Sequence, residues 1–386
     1  MSRCPQCFHV LPFDRFSWTC TSGQCKKRPD PAASAFQGSA VESGPVYDLL
    51  RPPGAPSGWV APSSAVCPGC KEFAQEVCPD CHTTLLPGWR TAQTTCVAMA
   101  GARATGKSLY IAVLVKQLEQ LAERLGTTFE PATSQTRDTY GDVYERPLYE
   151  QRGIMAPTPR VDTADSYQRE PLIFRLGARD GVARFLVLRD VAGEDLETQS
   201  GTARHLNFFA HADGVFFMFD PLRVQEIQDQ LQELVPSQLN LGGDPKVVLG
   251  NVMRIIGQAT PRVAMILSKF DAVQALRAVS GTEWSRIMSN PGAAFLREGG
   301  GDRGPYDEVD GELLHHEVRS LLQKLHAGPI VTAVERPSSG QFLPHRFFVA
   351  SALGESPNGK SLNARGIAPF RCLDPMRWVM AETGML

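Results

Sequence analysis

No apolar run in this 386-residue chain approaches the roughly 20 residues that a membrane-crossing helix needs. The opening residues, MSRCPQC, lack the apolar core of a secretory signal. Charge of one sign is not in excess either. Lys+Arg number 39 against 41 Asp+Glu, a formal net of −2, so no global basic field draws the chain to nucleic acid or to acidic membranes. No internal repeat is evident. What is left is an ordinary globular composition, 42% hydrophobic and 21% charged. The chain is read as cytoplasmic and long enough for two or three domains.

Cysteine is the residue that is not scattered. Eight of the ten cysteines lie within the first 81 residues: Cys4 and Cys7, Cys20 and Cys25, Cys67 and Cys70, Cys78 and Cys81. Three of these pairs are C-P-x-C turns, which place two sulfurs on one side of a tight loop, and two such pairs complete a tetrahedral zinc site. Disulfides are disfavoured in a reducing compartment. By nearness in sequence, Cys4, Cys7, Cys20 and Cys25 are expected to hold one structural Zn²⁺, and Cys67, Cys70, Cys78 and Cys81 a second. His9 and His82 are read as surface residues, and Cys96 and Cys372 as small core hydrophobes.

This divides the chain into a first zinc ribbon (1–28), a flexible linker (29–64), a second zinc ribbon (65–90) and a large α/β domain (91–386). The linker reading rests on Pro, Ala, Gly and Ser richness, as in RPPGAPSG at 51–58. Within it VYDLL (46–50) is a chance apolar cluster or a docking segment. In the large domain apolar strands recur at 94–101, 171–176, 184–190, 214–220, 262–268 and 346–351, alternating with amphipathic helices. That pattern predicts a mostly parallel sheet covered on both faces, a P-loop NTPase three-layer sandwich. The GARDG turn between the second and third strands is a hairpin signal. Residues 126–170 and 279–310 are too long for ordinary connections. The second, poor in apolar anchors, is read as a mobile surface insertion.

Four motifs in this domain carry chemistry. GARATGKS (101–108) has the form G-x-x-x-x-G-K-[ST], in which glycines let successive amides face a phosphate at the positive end of the next helix. Gly101, Ala102, Arg103, Ala104, Thr105, Gly106, Lys107, Ser108 and Leu109 form this cradle. Lys107 is assigned to the β- and γ-phosphates, and the Ser108 hydroxyl to Mg²⁺. In DVAGE (190–194) Asp190 is the second Mg²⁺ group, and the Gly193 amide senses the γ-phosphate. In SKFD (268–271) Asp271 accepts from the N1–H and 2-amino groups of guanine, a donor pair that adenine lacks. Ser268 and Lys269 shape that loop. Ser351, Ala352 and Leu353, in SAL, complete base recognition. The Ras-like GTPases that this order of motifs resembles imply a third Mg²⁺ group, a threonine before the second strand. The sequence does not fix it: Thr158 is the candidate and Thr163 the runner-up, and the alternative for both is a plain loop hydroxyl. Lys107, Glu194 and Arg103 are the catalytic candidates, with His205 as an alternative base.

The order of these motifs resembles the Ras-like, translation-factor-related GTPases. Across 94–386 the chain is similar to bacterial double-GTPase proteins, on GARATGKS, LRDVAGED, ADGVFFMFDP, ILSKFD, VASALG and the closing LDPMRWVM. Two departures stand out. Glu194 occupies a position where such enzymes commonly carry glutamine, and Ser268 stands where Asn or Thr is usual. The resemblance implies GTP/GDP as ligand and a switch in a multi-protein bacterial system, for regulation or defence. It also implies protein partners, a second GTPase among the candidates, and no membrane. Two other readings stay open. One is an adaptor that binds GTP with little hydrolysis. The other is a nucleic-acid-binding NTPase, suggested by Arg3, Arg15, Lys26, Lys27 and Arg28 interleaved with Phe8, Phe13, Phe16 and Trp18.

Overall fold

The computed structural model describes the chain apart from residues 1, 57–58, 60–61, 63, 154–169, 199–203, 232–242, 299–305 and 356–365. Thr158 and Thr163 lie outside the described residues.

The cysteine-rich portion is one module, not two ribbons on a linker. β1 (Arg15–Cys20) pairs antiparallel with β2 (Val46–Leu50) on one side and with β4 (Phe73–Val77) on the other, and β3 (Ala65–Val66) completes the sheet beside β4. The expected linker therefore contributes a strand, since VYDLL is β2 itself. It also contributes a helix, α1 (Pro31–Gln37), opened by Asp30, whose carboxylate accepts from the Ala33 amide. The same carboxylate lies 2.8 Å from His82 Nδ1, so His82 clips α1 to the module.

This pairing also re-partitions the metal ligands. The antiparallel register sets Ser17 opposite Val77 and Cys20 opposite Ala74. The knuckle before β1 therefore meets the knuckle after β4, and the pair after β1 meets the knuckle before β4. Cys4, Cys7, Cys78 and Cys81 gather in one group, and Cys20, Cys25, Cys67 and Cys70 in the other. The sequential grouping is thus corrected to an interleaved one. The three C-P-x-C turns share one backbone form. Phe8, Lys71 and His82, each just after its second cysteine, take φ of 62°, 66° and 53°. Their amides donate to the carbonyls of Cys4, Cys67 and Cys78 at 2.9–3.0 Å. Phe8, Phe16 and Trp18 are buried, and Phe13 is 55% exposed. Three of the four interleaved aromatics are therefore core, which weakens the case for a base-stacking platform.

The α/β domain carries a seven-stranded sheet. Its strands are β5 (Gln93–Ala100), β6 (Glu130–Pro131), β7 (Leu172–Arg179), β8 (Val182–Arg189), β9 (Gly214–Phe219), β10 (Arg262–Leu267) and β11 (His345–Val349), in the order β11-β10-β9-β5-β8-β7-β6. All pairings are parallel except β8–β7 and β7–β6, so the hairpin signalled by GARDG is present. β9 (GVFFMF) is buried at every position, as a strand covered on both faces must be. α2 (Lys107–Arg124) follows the phosphate loop. Next come α3 (Gly193–Thr198), α4 (Pro245–Ile256), α5 (Glu308–Lys324) and the closing α6 (Asp374–Glu382).

Both long connections differ from expectation where they are described. Residues 134–150 are helical and pack on α2, through buried Tyr140, Tyr144 and Leu148 and a Lys116–Glu145 ion pair. The second stretch is anchored by buried Trp284 and Met288, four apart on a short helix (Glu283–Met288), and by Ala294 and Phe295 in the turn after it. No helix among the described residues is long and apolar enough to cross a membrane.

The zinc module and the α/β domain share one core. Trp89 stacks on Phe185 at 4.7 Å and donates from Nε1 to the Arg3 carbonyl at 2.7 Å. Arg3 also pairs with Asp213 at 2.9 Å, and Phe8 packs edge-on to Phe208 at 5.3 Å.

Candidate functional site

The phosphate loop runs from the end of β5 into α2 and needs backbone forms that L side chains resist. Gly101 takes φ 144°, and a Cβ there would lie 2.2 Å from the Met218 carbonyl oxygen. Gly106, at φ 90°, caps α2, and Ala104 holds φ 61° without being glycine. Strain of this kind is retained where a surrounding structure needs it. Thr105 Oγ1 ties the turn by donating to the Ala102 carbonyl at 3.0 Å. The Lys107 ammonium is buried and donates to the carbonyls of Gly101 at 2.8 Å and Ala102 at 3.2 Å. Burial pulls its pKa below the ordinary lysine value, against the opposing pull of Asp190 and Glu197. A buried cation at the start of a long helix suits a polyanion.

Ser108 Oγ donates to Asp190 Oδ2 at 3.2 Å, so the two groups assigned to Mg²⁺ come together at the ends of α2 and β8. Tyr144 OH, buried in the 134–150 helix, reaches the same oxygen at 3.5 Å. Nothing in the local sequence marks Tyr144, because only packing on α2 brings it there. Hydroxyl and carboxylate oxygens of this kind fit part of the ligand set of a hard, small cation.

Gly193 has no room for a side chain. A Cβ would lie 2.2 Å from Arg103 N and 2.5 Å from the Ala102 carbonyl carbon. Glu194 and Arg103, expected as separate catalytic groups, form an ion pair at 2.7 Å. His205, the alternative base, lies beside the cysteine-rich module. It packs its ring against Gly38 at the end of α1, and burial, then the Arg189 charge, lower its pKa.

The base-reading motifs meet at the ends of β10 and β11. Ser351 Oγ donates to Asp271 Oδ1 at 2.6 Å and accepts from the Gly354 amide at 2.9 Å. Lys269 takes φ 51° and donates from Nζ to Asp220 Oδ2 at 2.9 Å. Asp220, fully buried at the end of β9, is a partner that the motif reading missed; its position after an apolar strand was the available signal. Ala352 and Leu353 pack partly buried against the core, as does Leu109, whereas Ser268 is buried at the end of β10.

Each cysteine group suits zinc. Zn–S bonds of ~2.3 Å in a tetrahedron put sulfurs about 3.8 Å apart. The Cys4–Cys81 and Cys7–Cys78 sulfurs are 3.5 and 3.6 Å apart, and the Cys20–Cys70 and Cys25–Cys67 sulfurs 3.5 and 3.8 Å. Four thiolates would leave no open position on such an ion, which suits a structural rather than a catalytic role. In the outer group the Ser22 hydroxyl, then the Glu72 amide, pull the Cys70 thiol down to about 6.

The inner group reaches the nucleotide site through Arg189, the residue before Asp190. Its guanidinium is fully enclosed, stands 3.9 Å over the Phe208 ring and donates to the Gln6 carbonyl at 2.6 Å. Burial lowers its pKa to about 10, while the Cys81, Cys7 and Cys4 thiols pull the other way. No carboxylate pairs with it among the described residues. Thiolates holding a metal there would supply its countercharge. Arg189→Met is expected to cost about 2–4 kcal/mol, from a desolvated cation–π contact and a charged hydrogen bond. Denaturant unfolding of the zinc-loaded protein checks this; unchanged stability would show the cation to be dispensable.

Three comparisons bear on this arrangement. The family described as Double-GTPase 2 matches residues 95–302. A protein of Mycolicibacterium smegmatis, described as a putative ESX-1 scaffolding and assembly protein, SaeC, is 54% identical over 388 residues, covering 100% of each chain. Among solved structures, the GTP-bound S. cerevisiae Ski7 GTPase-like domain aligns at 9% identity and a TM-score of 0.34, covering 76% of this chain and 51% of that one. Bacterial elongation factor EF-Sec aligns at 12% identity and 0.25, over 66% and 25%. At such TM-scores neither likeness bears on function.

Proposed function

The chain belongs to the Double-GTPase 2 family, and on that premise we propose that it is a guanine-nucleotide switch that hydrolyses GTP slowly and works within a multi-protein assembly. The observation that carries this reading is the Asp271–Ser351 contact. It joins two motifs 80 residues apart at the strand ends that also carry the phosphate loop, where open α/β sheets bind ligands.

In this reading the amides of 101–109 and Lys107 bind the phosphates, and Gly193 senses the terminal one. Ser108 and Asp190 would hold Mg²⁺, which supplies charge neutralisation to the phosphates. Asp271 accepts from the guanine edge, and Ser351 keeps its carboxylate oriented. The zinc module holds Asp190 in place through Arg189 and presents its outer face to a protein partner. Kinship with a protein described as a scaffolding and assembly factor supports action through partners, for which a second GTPase is a candidate.

The Arg103–Glu194 pair favours a second reading, a GTP-binding scaffold with little turnover. Each of these groups neutralises the other, so neither is poised to orient water or to stabilise a developing anion.

Calorimetric titration of the zinc-loaded protein with GTP, GDP and ATP in Mg²⁺, followed by phosphate release, separates these readings. Guanine-selective binding with release supports the switch, and binding without release supports the scaffold. Preference for ATP would overturn both. Asp271→Ala is expected to weaken guanine nucleotides about 100-fold, two charge-assisted hydrogen bonds at about 1.5 kcal/mol each, and to leave ATP affinity unchanged.

A further inference from the structure

We propose that Glu197 is a specificity-determining residue, which sets the preference between nucleoside tri- and diphosphate by placing its own carboxylate on the phosphate loop. The inference rests on the guanine-nucleotide reading above and adds how that site ranks its ligands.

Glu197 Oε1 accepts from the backbone N–H of Arg103 at 3.2 Å and from that of Gly243 at 3.1 Å. One carboxylate oxygen thus bridges the third residue of the phosphate loop and the segment entering α4. A protein anion therefore stands on one backbone amide of the phosphate loop itself.

The position within the loop gives the contact its selectivity. Gly106–Ser108 lie at the start of α2, whereas Arg103 is the loop residue against which Gly193 packs. Gly193 and Glu197 are four apart on α3 and so share a face. The turn that senses a terminal phosphate is thereby the turn whose carboxylate covers the loop. A diphosphate held at the α2 end leaves Glu197 where it is. A further phosphate on the Gly193 side meets a like charge and must move α3, which also parts Glu194 from Arg103. That second contact is a weak hold. Its side chains are 49% and 33% exposed, so solvent screens the pair. Glu197, bonded to two backbone amides, is the stronger part of the restraint.

The test is titration of the zinc-loaded full chain with GDP and with a non-hydrolysable GTP analogue, for the wild type, Glu197→Ala and Glu197→Gln. The analogue is expected to bind Glu197→Ala at least about tenfold more tightly than wild type, with GDP affinity within about twofold. Glu197→Gln, which keeps the acceptor oxygen and loses the charge, should lie between. It also serves if the alanine variant fails to fold. Equal shifts for both nucleotides, or no shift for either, would overturn the proposal while leaving the guanine reading intact. A wild type that binds neither nucleotide would remove both.

Discussion

Lys107→Ala is expected to lower the affinity for GTP and GDP by at least about 1,000-fold, without unfolding the protein. The ammonium is sealed inside the loop, where it donates to the carbonyls of Gly101 and Ala102. Charged hydrogen bonds are worth about 1.5–3 kcal/mol each, and two of them to phosphate in a water-poor loop reach the roughly 4 kcal/mol that a 1,000-fold loss represents. Stability should change little, because the loss of its two hydrogen bonds to loop carbonyls is offset. Removing a buried cation relieves desolvation, and alanine is a good residue for the first turn of α2. Calorimetry and thermal unfolding together read both sides. A variant with unchanged affinity would refute the phosphate-loop assignment, and one that merely unfolds would show Lys107 to be structural.

Loss of the inner zinc site is expected to have the second large effect. A Cys78→Ser variant should lose one Zn²⁺ and melt the whole chain at a much lower temperature, whereas Cys25→Ser should lose the outer Zn²⁺ and leave nucleotide binding intact. Structural zinc contributes about 10–16 kcal/mol in small modules, as much as the net stability of a typical domain. The two sites differ in what surrounds them. Cys4, Cys7, Cys78 and Cys81 are buried within the core that continues through Trp89 and Phe208 into the sheet. Cys25 and Cys70 are only half-buried. The interleaving has its own check. A Cys4→Ser, Cys78→Ser double variant should lose one zinc by metal analysis, whereas the sequential grouping would lose two.

Much of the proposed nucleotide site rests on motifs that are short and contiguous. In GARATGKS the glycine spacing encodes the turn and Lys107 the charge, so chain-local geometry carries the chemistry. The strands were legible for a related reason. RFLVLR and GVFFMF are apolar nearly throughout, and only a strand covered on both faces tolerates that.

The cysteine partition was not legible. Nearness in sequence favours Cys4–Cys7 with Cys20–Cys25, but the antiparallel β1–β4 pairing crosses the two sets over, and the sheet it belongs to includes β2, hidden in a segment rich in Pro and Gly. Tyr144 and Glu197 were equally hidden. Each acts through a single side chain delivered by packing, Tyr144 onto Asp190 and Glu197 onto the Arg103 amide, and no spacing rule connects residues 46 or 94 apart.

The sequence by itself determined which residue types the proposed function offers to phosphate, base and zinc, because those preferences are set by charge, softness and backbone freedom over a few neighbouring positions. Only the tertiary structure decided which cysteines share an ion, that Arg103 and Glu194 neutralise each other, and that the inner zinc site stands behind Asp190. These are contacts between segments far apart in the chain, and they exist only once sheet register and core packing have brought the segments together.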